Sequence, residues 1–166
     1  MSNITTSQTI GPFPHEAWAW GVEATKAPAN AALVIEGRLL DGSGAPINDG
    51  WVEAWTPDEA GGAIPGFRRV PSAEDGGFRL ALPPPVPGQP AAWVAVFARG
   101  LLLHQFSAVF LEDDAALADS ALLAQVPAER RATLIAKKQG DGRYRWDIRL
   151  QGAADASGET VFFDFA

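Results

Sequence analysis

From Arg143 to Leu150 polar and apolar residues alternate. Arg143, Arg145, Asp147 and Arg149 fall on one side, Tyr144, Trp146, Ile148 and Leu150 on the other. A two-residue period marks a half-buried β-strand, because successive side chains leave a pleated backbone on opposite faces. Shorter runs predict strands at Leu33 to Leu40, Trp51 to Thr56, Phe78 to Leu82, Trp93 to Ala98, Leu102 to Leu111 and Thr160 to Phe165. Turn chemistry bounds them: Asp41-Gly42-Ser43-Gly44, Asp49-Gly50, Asp75-Gly76-Gly77, Pro83 to Pro85 and Arg99-Gly100. Helix is scarce. The alanine-rich stretch Glu112 to Leu123, acidic near its start, predicts one helix, and Pro127 to Arg131 predicts a single turn. The first 30 residues carry no period and read as an N-terminal arm over the body. Together these runs predict one mainly β domain over residues 1–166, an antiparallel β-sandwich with short helices.

Composition narrows the function more than the fold. At 47% hydrophobic residues the chain can bury a core, so disorder is excluded. A net charge of −7 lacks the basic footprint that a phosphate backbone requires, which argues against a nucleic-acid partner. The absence of cysteine removes disulfides, thiolate metal sites and cysteine nucleophiles, and suits a cytoplasmic protein. Met1 to Gly11 has neither the basic nor the apolar region of a signal peptide. The most apolar stretch, Ala91 to Leu103, is interrupted by Arg99 and too short to span a bilayer, so no membrane association is expected.

Candidate chemistry is sparse. A mononuclear metal site needs about three or four convergent ligands. The only histidines are His15, in the arm, and His104, in a predicted strand; the one tyrosine, Tyr144, lies on an apolar face and reads as core. Asp113-Asp114 lacks the spacing of a calcium loop. No Gly-x-Ser-x-Gly is present. Glu36 and Glu53 are either paired carboxylates across adjacent strands or solvent-facing strand residues. Arg99 ends an apolar strand, and a guanidinium beside apolar surface calls for a carboxylate. That carboxylate is an internal Asp or Glu, a ligand, or a neighbouring subunit's. In the arm, Ser7-Gln8-Thr9-Ile10-Gly11-Pro12-Phe13 sets a glycine and a proline before an aromatic ring.

These segments, with Glu36-Gly37-Arg38, Glu53-Ala54-Trp55, Phe97-Ala98-Arg99-Gly100 and Arg130 to Lys137, fall in the order of a known family. So do Tyr144-Arg145-Trp146-Asp147-Ile148-Arg149-Leu150-Gln151-Gly152 and Gly158 to Phe165, the two most specific stretches. The chain resembles the α-subunit branch of the intradiol ring-cleavage dioxygenases that act on protocatechuate. The resemblance implies a prealbumin-like β-sandwich. It also implies a catalytic β subunit as partner, which holds Fe³⁺ through two tyrosines and two histidines. Those histidines sit two apart on the strand matching Ala91 to Phe97, where this chain carries Ala91 and Trp93. The resemblance thus implies no catalytic or metal residue here, an inactive isolated chain, and a large α/β hetero-oligomer using protocatechuate and O₂. The substrate-binding positions it implies are Thr9, Gly11, Pro12 and Phe13 on the arm and Arg99 on the strand. Relatives often carry tyrosine where Phe13 stands. The alternative is a prealbumin-like sandwich that recognises a ligand or a protein without chemistry, with Trp18, Trp20, Trp51, Trp55 and Trp93 as its aromatic surface.

Overall fold

A computed structural model describes residues 14–26, 31–56, 64–152 and 158–164. Among them nine strands pair: β1 (Leu33–Leu40), β2 (Trp51–Trp55), β3 (Phe67–Pro71), β4 (Gly77–Leu82), β5 (Ala92–Phe97), β6 (Gln105–Leu111), β7 (Ile135–Gly140), β8 (Arg143–Arg145) and β9 (Ile148–Arg149). Their hydrogen-bonded order is β3-β2-β5-β6-β7-β8-β1-β4, with β9 beside β1. The two ends of this path meet. Arg68 on β3 buries its side chain and donates from Nε to the Ala81 carbonyl on β4 at 3.1 Å, so the sheet curls almost to closure.

The mainly β class agrees with the sequence reading, but the sheet is mixed rather than purely antiparallel. Five pairings are antiparallel, while β1–β8, β1–β9 and β6–β7 are parallel. Parallel neighbours need a long crossover, and residues 112–134 supply one between β6 and β7. Within it the predicted helix over Glu112 to Leu123 shrinks to a 3₁₀ turn at Leu117–Asp119 and one turn of helix, α2 (Ala121–Ala124). (The eleven-residue helix α1 lies elsewhere, at Pro14–Ala24.) The acidic residues are engaged by a local turn and by distant partners: Asp114 accepts from Ala116 N at 2.9 Å and from Gly88 N at 2.6 Å, while Glu112 accepts from Lys137 and Asp113 from Lys138. Such bonds compete with helix. A turn does form at Pro127, where Arg130 N donates to the Pro127 carbonyl, and a 3₁₀ turn follows at Arg131–Leu134.

The alternating segment keeps its two faces. Tyr144, Trp146 and Ile148 are buried, and the arginines and Asp147 are not. It is nonetheless split into β8 and β9. Between them Trp146 N reaches the Glu36 carbonyl at 2.9 Å, and the Asp147 carboxylate, not a backbone carbonyl, accepts from Arg38 N at 2.8 Å. Thr160 to Phe165 makes only an isolated bridge, Phe106 to Phe163, over its described part. The arm, expected to be irregular, holds α1, which opens on a proline suited to a first helical position. It is tied to β3 by Arg69 N donating to Thr25 Oγ1 at 3.0 Å.

Inside the curl, Val52 and Ala54 of β2 and Ala92, Val94 and Val96 of β5 join Ile35, Leu39, Leu80, Val109 and Ile148 in the main core. A second core packs Ala108 and Phe110 against Leu123, Val126 and Leu134 of the crossover. With even-numbered residues of β2 and β5 committed inward, their odd-numbered residues form the opposite face of the sheet.

Candidate functional site

That outer face is aromatic. The β2–β5 register sets Trp51 opposite Phe97, Glu53 opposite Ala95 and Trp55 opposite Trp93. Trp51 stacks on Phe97 at 4.8 Å, Phe97 on His104 at 5.2 Å, and His104 meets Phe106 edge-on at 4.4 Å. Trp55 approaches Phe67 at 6.2 Å. A cavity of about 440 Å³ opens here, lined among others by Glu53, Trp55, Phe67, Trp93, Ala95 and Phe106. Trp55 stays 46% exposed and Phe106 38%, and Leu102 and Leu103 protrude from the adjoining β5–β6 turn.

Glu53 and Arg69 form an ion pair on this face. Arg69 donates from both Nε and Nη2 to Glu53 Oε1, with Nε at 2.8 Å, and both side chains are mostly buried. The reading of Glu36 and Glu53 as paired carboxylates is therefore corrected. Their strands are not neighbours, and Glu36 pairs instead with Arg79, its cross-strand partner on β4, at 3.6 Å.

Arg99 lies at the edge of the same face, one residue beyond the buried Ala98. Of the carboxylates open to it in the sequence, an internal one is present: Asp49 Oδ2 lies 2.8 Å from Arg99 Nε. Thr9, Gly11, Pro12 and Phe13 lie outside the described residues, so the structure places none of them beside Arg99. His15 falls on α1, at a position whose side chain is not described.

The residues that the resemblance sets at iron-ligand positions do not have the chemistry to hold a ferric ion. Ala91 is buried in the main core, and its N–H is engaged by the Val109 carbonyl at 2.7 Å. Trp93 offers only an N–H donor, and its ring packs on the second core. Tyr144 is buried as expected, but its hydroxyl is taken: it donates to Asp113 Oδ1 at 2.8 Å. Hydrogen bonds from Lys138, and then from Tyr144, hold the Asp113 carboxyl below its usual value. Burial first, and then Asp113, push Tyr144 up. Among the described residues no three His, Cys, Asp or Glu side chains converge. Asp49 is the site residue that sequence reasoning missed. Its only signal was an Asp-Gly turn before a strand.

No family model matches the chain. It is 34% identical to the protocatechuate 3,4-dioxygenase alpha chain of Burkholderia cepacia, over 96% of each chain. It is 32% identical to the alpha chain of that name from Pseudomonas putida, over 97% of this chain and 96% of the relative. Among solved structures, it is similar to the dioxygenase domain of a carbohydrate-binding fusion protein from Streptomyces sp. SirexAA-E. The TM-score is 0.54 at 18% identity, covering 76% of this chain and 86% of that one. It is also similar to catechol 1,2-dioxygenase from Acinetobacter sp. ADP1, with a TM-score of 0.52 at 17% identity, covering 85% and 59%. At such identities the structures speak for the fold alone. The two alpha chains match along almost their whole length, and on that ground the chain belongs to the family of protocatechuate 3,4-dioxygenase alpha chains, among the intradiol dioxygenases.

Proposed function

We propose that this chain is the alpha subunit of a protocatechuate 3,4-dioxygenase and closes the substrate pocket around a ferric site held by the beta subunit. The enzyme would cleave protocatechuate with O₂ to 3-carboxy-cis,cis-muconate in cytoplasmic aromatic catabolism. When bound in the partner, Fe³⁺ supplies the activation of the catechol ring toward O₂. This chain binds, orients and excludes water. The observation that carries the reading is the pair Ala91 and Trp93. Where catalytic relatives hold iron, these side chains are apolar and packed into cores.

Thr9, Gly11, Pro12 and Phe13 line the pocket from the arm, and Arg99 does so from the end of β5. The aromatic face suits the partner chain. It is poor in net charge, because Glu53 and Arg69 neutralise each other, and its exposed Trp55 and Phe106 are residue types enriched in interface cores.

The test is co-expression with a beta chain. The purified alpha chain should bind no iron and consume no O₂. The co-purified complex should contain iron and consume O₂ with protocatechuate. A beta chain that is fully active and correctly assembled without this chain would sink the proposal.

A further inference from the structure

We propose that the outer face of the sheet carries a small-molecule site of its own. The cavity over Ala95 takes a neutral phenol, with its ring against the aromatic walls and its hydroxyl donating to Glu53 Oε2. The site is built from this chain alone and does not rest on the pocket role proposed above.

Strand register builds the hole. On the outward side of β5, Ala95 stands between Trp93 and Phe97, its same-face neighbours. Across the strands it faces Glu53 on β2 and Phe106 on β6. A methyl group ringed by four larger side chains leaves a gap. The cavity of about 440 Å³ lies there, walled by Trp55, Phe67, Trp93 and Phe106. Its volume falls in the range of small-ligand pockets, roughly 300–1,000 Å³. The floor cannot rise to fill it. Val94 and Val96, on either side of Ala95, are buried in the main core, and β5 is hydrogen-bonded to β2 and β6 along both edges. The walls are braced as well: Trp93 packs on the second core, Trp55 approaches Phe67, and His104 meets Phe106 edge-on at 4.4 Å. Flat walls at fixed positions suit a flat ring, which they can meet edge-on or offset.

Polarity selects the ligand. Apart from the indoles, two polar side chains line the cavity, Glu53 and Ser107. Ser107 is buried, and its hydroxyl donates to the Val161 carbonyl at 2.8 Å. Glu53 is half used. Arg69 donates from both Nε and Nη2 to Oε1 alone, and among the described residues Oε2 accepts no hydrogen bond. Arg69 lines the neighbouring cavity beside Trp51 rather than this one. The cavity therefore has an acceptor, already balanced in charge, among apolar walls. A phenol supplies the two things this calls for, a ring and one hydroxyl donor. A plain ring leaves Oε2 unmatched in a mostly apolar setting, which is costly. A ring bearing a carboxylate brings a second acceptor of like charge against Glu53, so carboxylated aromatics are rejected.

The test titrates p-cresol into the full chain and follows the Ala95 methyl and the Trp55 and Trp93 indole resonances. Saturable shifts at these positions are expected, with a dissociation constant of about 1 mM, and none at Ile35 in the core. Toluene has the same ring without the hydroxyl and should bind about tenfold more weakly. A cavity with no acceptor in play would instead favour toluene, which has no hydroxyl to desolvate. The carboxylate p-toluate should not bind. Glu53→Gln keeps the shape and an oxygen for Arg69, and should bring p-cresol to within about threefold of toluene. Ala95→Leu fills the floor from its outward side and should abolish the indole shifts. If p-cresol moves none of these resonances, or binds Ala95→Leu as well as the parent, the site is overturned. If toluene or p-toluate binds as tightly as p-cresol, the role of Glu53 falls and the phenol with it; this comparison needs no variant to fold. The co-purified α/β complex should bind p-cresol with the same constant as the isolated chain. Binding kept by the chain and lost in the complex would mean that a ring of the beta chain fills the cavity, and would overturn a free phenol as its occupant.

Discussion

Tyr144 and Lys138 grip opposite oxygens of one carboxylate: the phenol donates to Asp113 Oδ1 at 2.8 Å and the ammonium lies 2.7 Å from Oδ2. Asp113 lies just past the end of β6, while its two partners lie on β8 and β7. The contact pins the crossover to the strands it feeds. Tyr144→Phe removes one donor and should cost about 1 kcal/mol at neutral pH, read from the urea midpoint. The sign with pH follows from the Asp113 carboxyl, whose folded value lies below the usual 3.8. Its contribution is present above that unfolded value and is lost as pH falls through the folded one. The gap between Tyr144→Phe and the parent should therefore narrow in strong acid. At the other extreme the raised Tyr144 favours the fold up to its unfolded value near 10 and loses that contribution as pH rises further. A gap that is flat down to pH 2 would refute the assignment.

Two glycines make a matched pair. At Gly37 an added Cβ would run into the Trp146 carbonyl oxygen and come within 2.6 Å of Phe78 Cζ, between β1 and the β8–β9 break. Backbone and a core ring must both yield, so Gly37→Ala should cost about 3 kcal/mol or more. At Gly140, on β7, nothing lies within 4 Å. Gly140→Ala should change stability by less than about 0.5 kcal/mol. Thermal midpoints of both variants check the contrast, and equal shifts would contradict it.

The seam of the curled sheet is also open to test. Arg68→Leu keeps much of the volume and removes the Nε bond to the Ala81 carbonyl. A buried acceptor left unpaired costs about 1–3 kcal/mol. Hydrogen exchange should rise first in β3 and β4, the strands on either side of the seam. Protection unchanged in both would show that the seam closes without this bond.

Trp55 separates folding from assembly. Its ring touches Phe67 yet remains half exposed, so Trp55→Ser should move the isolated chain's stability by less than about 1 kcal/mol. In the complex an aromatic anchor of this kind contributes about 2 kcal/mol or more, so affinity for the beta chain should fall by roughly thirtyfold. Sedimentation or interferometry with the purified partner measures this directly. Undiminished affinity would remove this face from the interface.

The sequence makes some of this legible and hides the rest for identifiable reasons. β1 is readable to the residue because its apolar run ends on Asp41, whose carboxylate accepts from Ser43 N, Ser43 Oγ and Ala45 N. β3 is hidden because its arginines look solvated. Arg68 is satisfied by β4 and Arg69 by Glu53, and neither partner is visible in the local pattern. β7 is hidden because four of its six residues, Lys137 to Gly140, are exposed. α1 shows no apolar stripe at helical spacing in PHEAWAWGVEA. At the candidate site, the need of Arg99 for a carboxylate follows from its type and place. That the carboxylate is Asp49 follows only from the β2–β5 register, a long-range fact.

The parallel pairings of β1 bear on how the protein is made. One side of β1 is met early by β4, but the other is covered by β8 and β9, drawn from residues 143–149. Contacts between positions so far apart in sequence slow folding, because the intervening chain must be ordered before they form. On the ribosome, β1 to β6 emerge with the β1 edge uncovered, and an uncovered edge invites pairing with another chain. The nascent alpha subunit therefore passes through an aggregation-exposed interval that closes only when the segment Arg143 to Arg149 arrives. Its yield in the cell should depend on translation speed and chaperone supply before it depends on any partner.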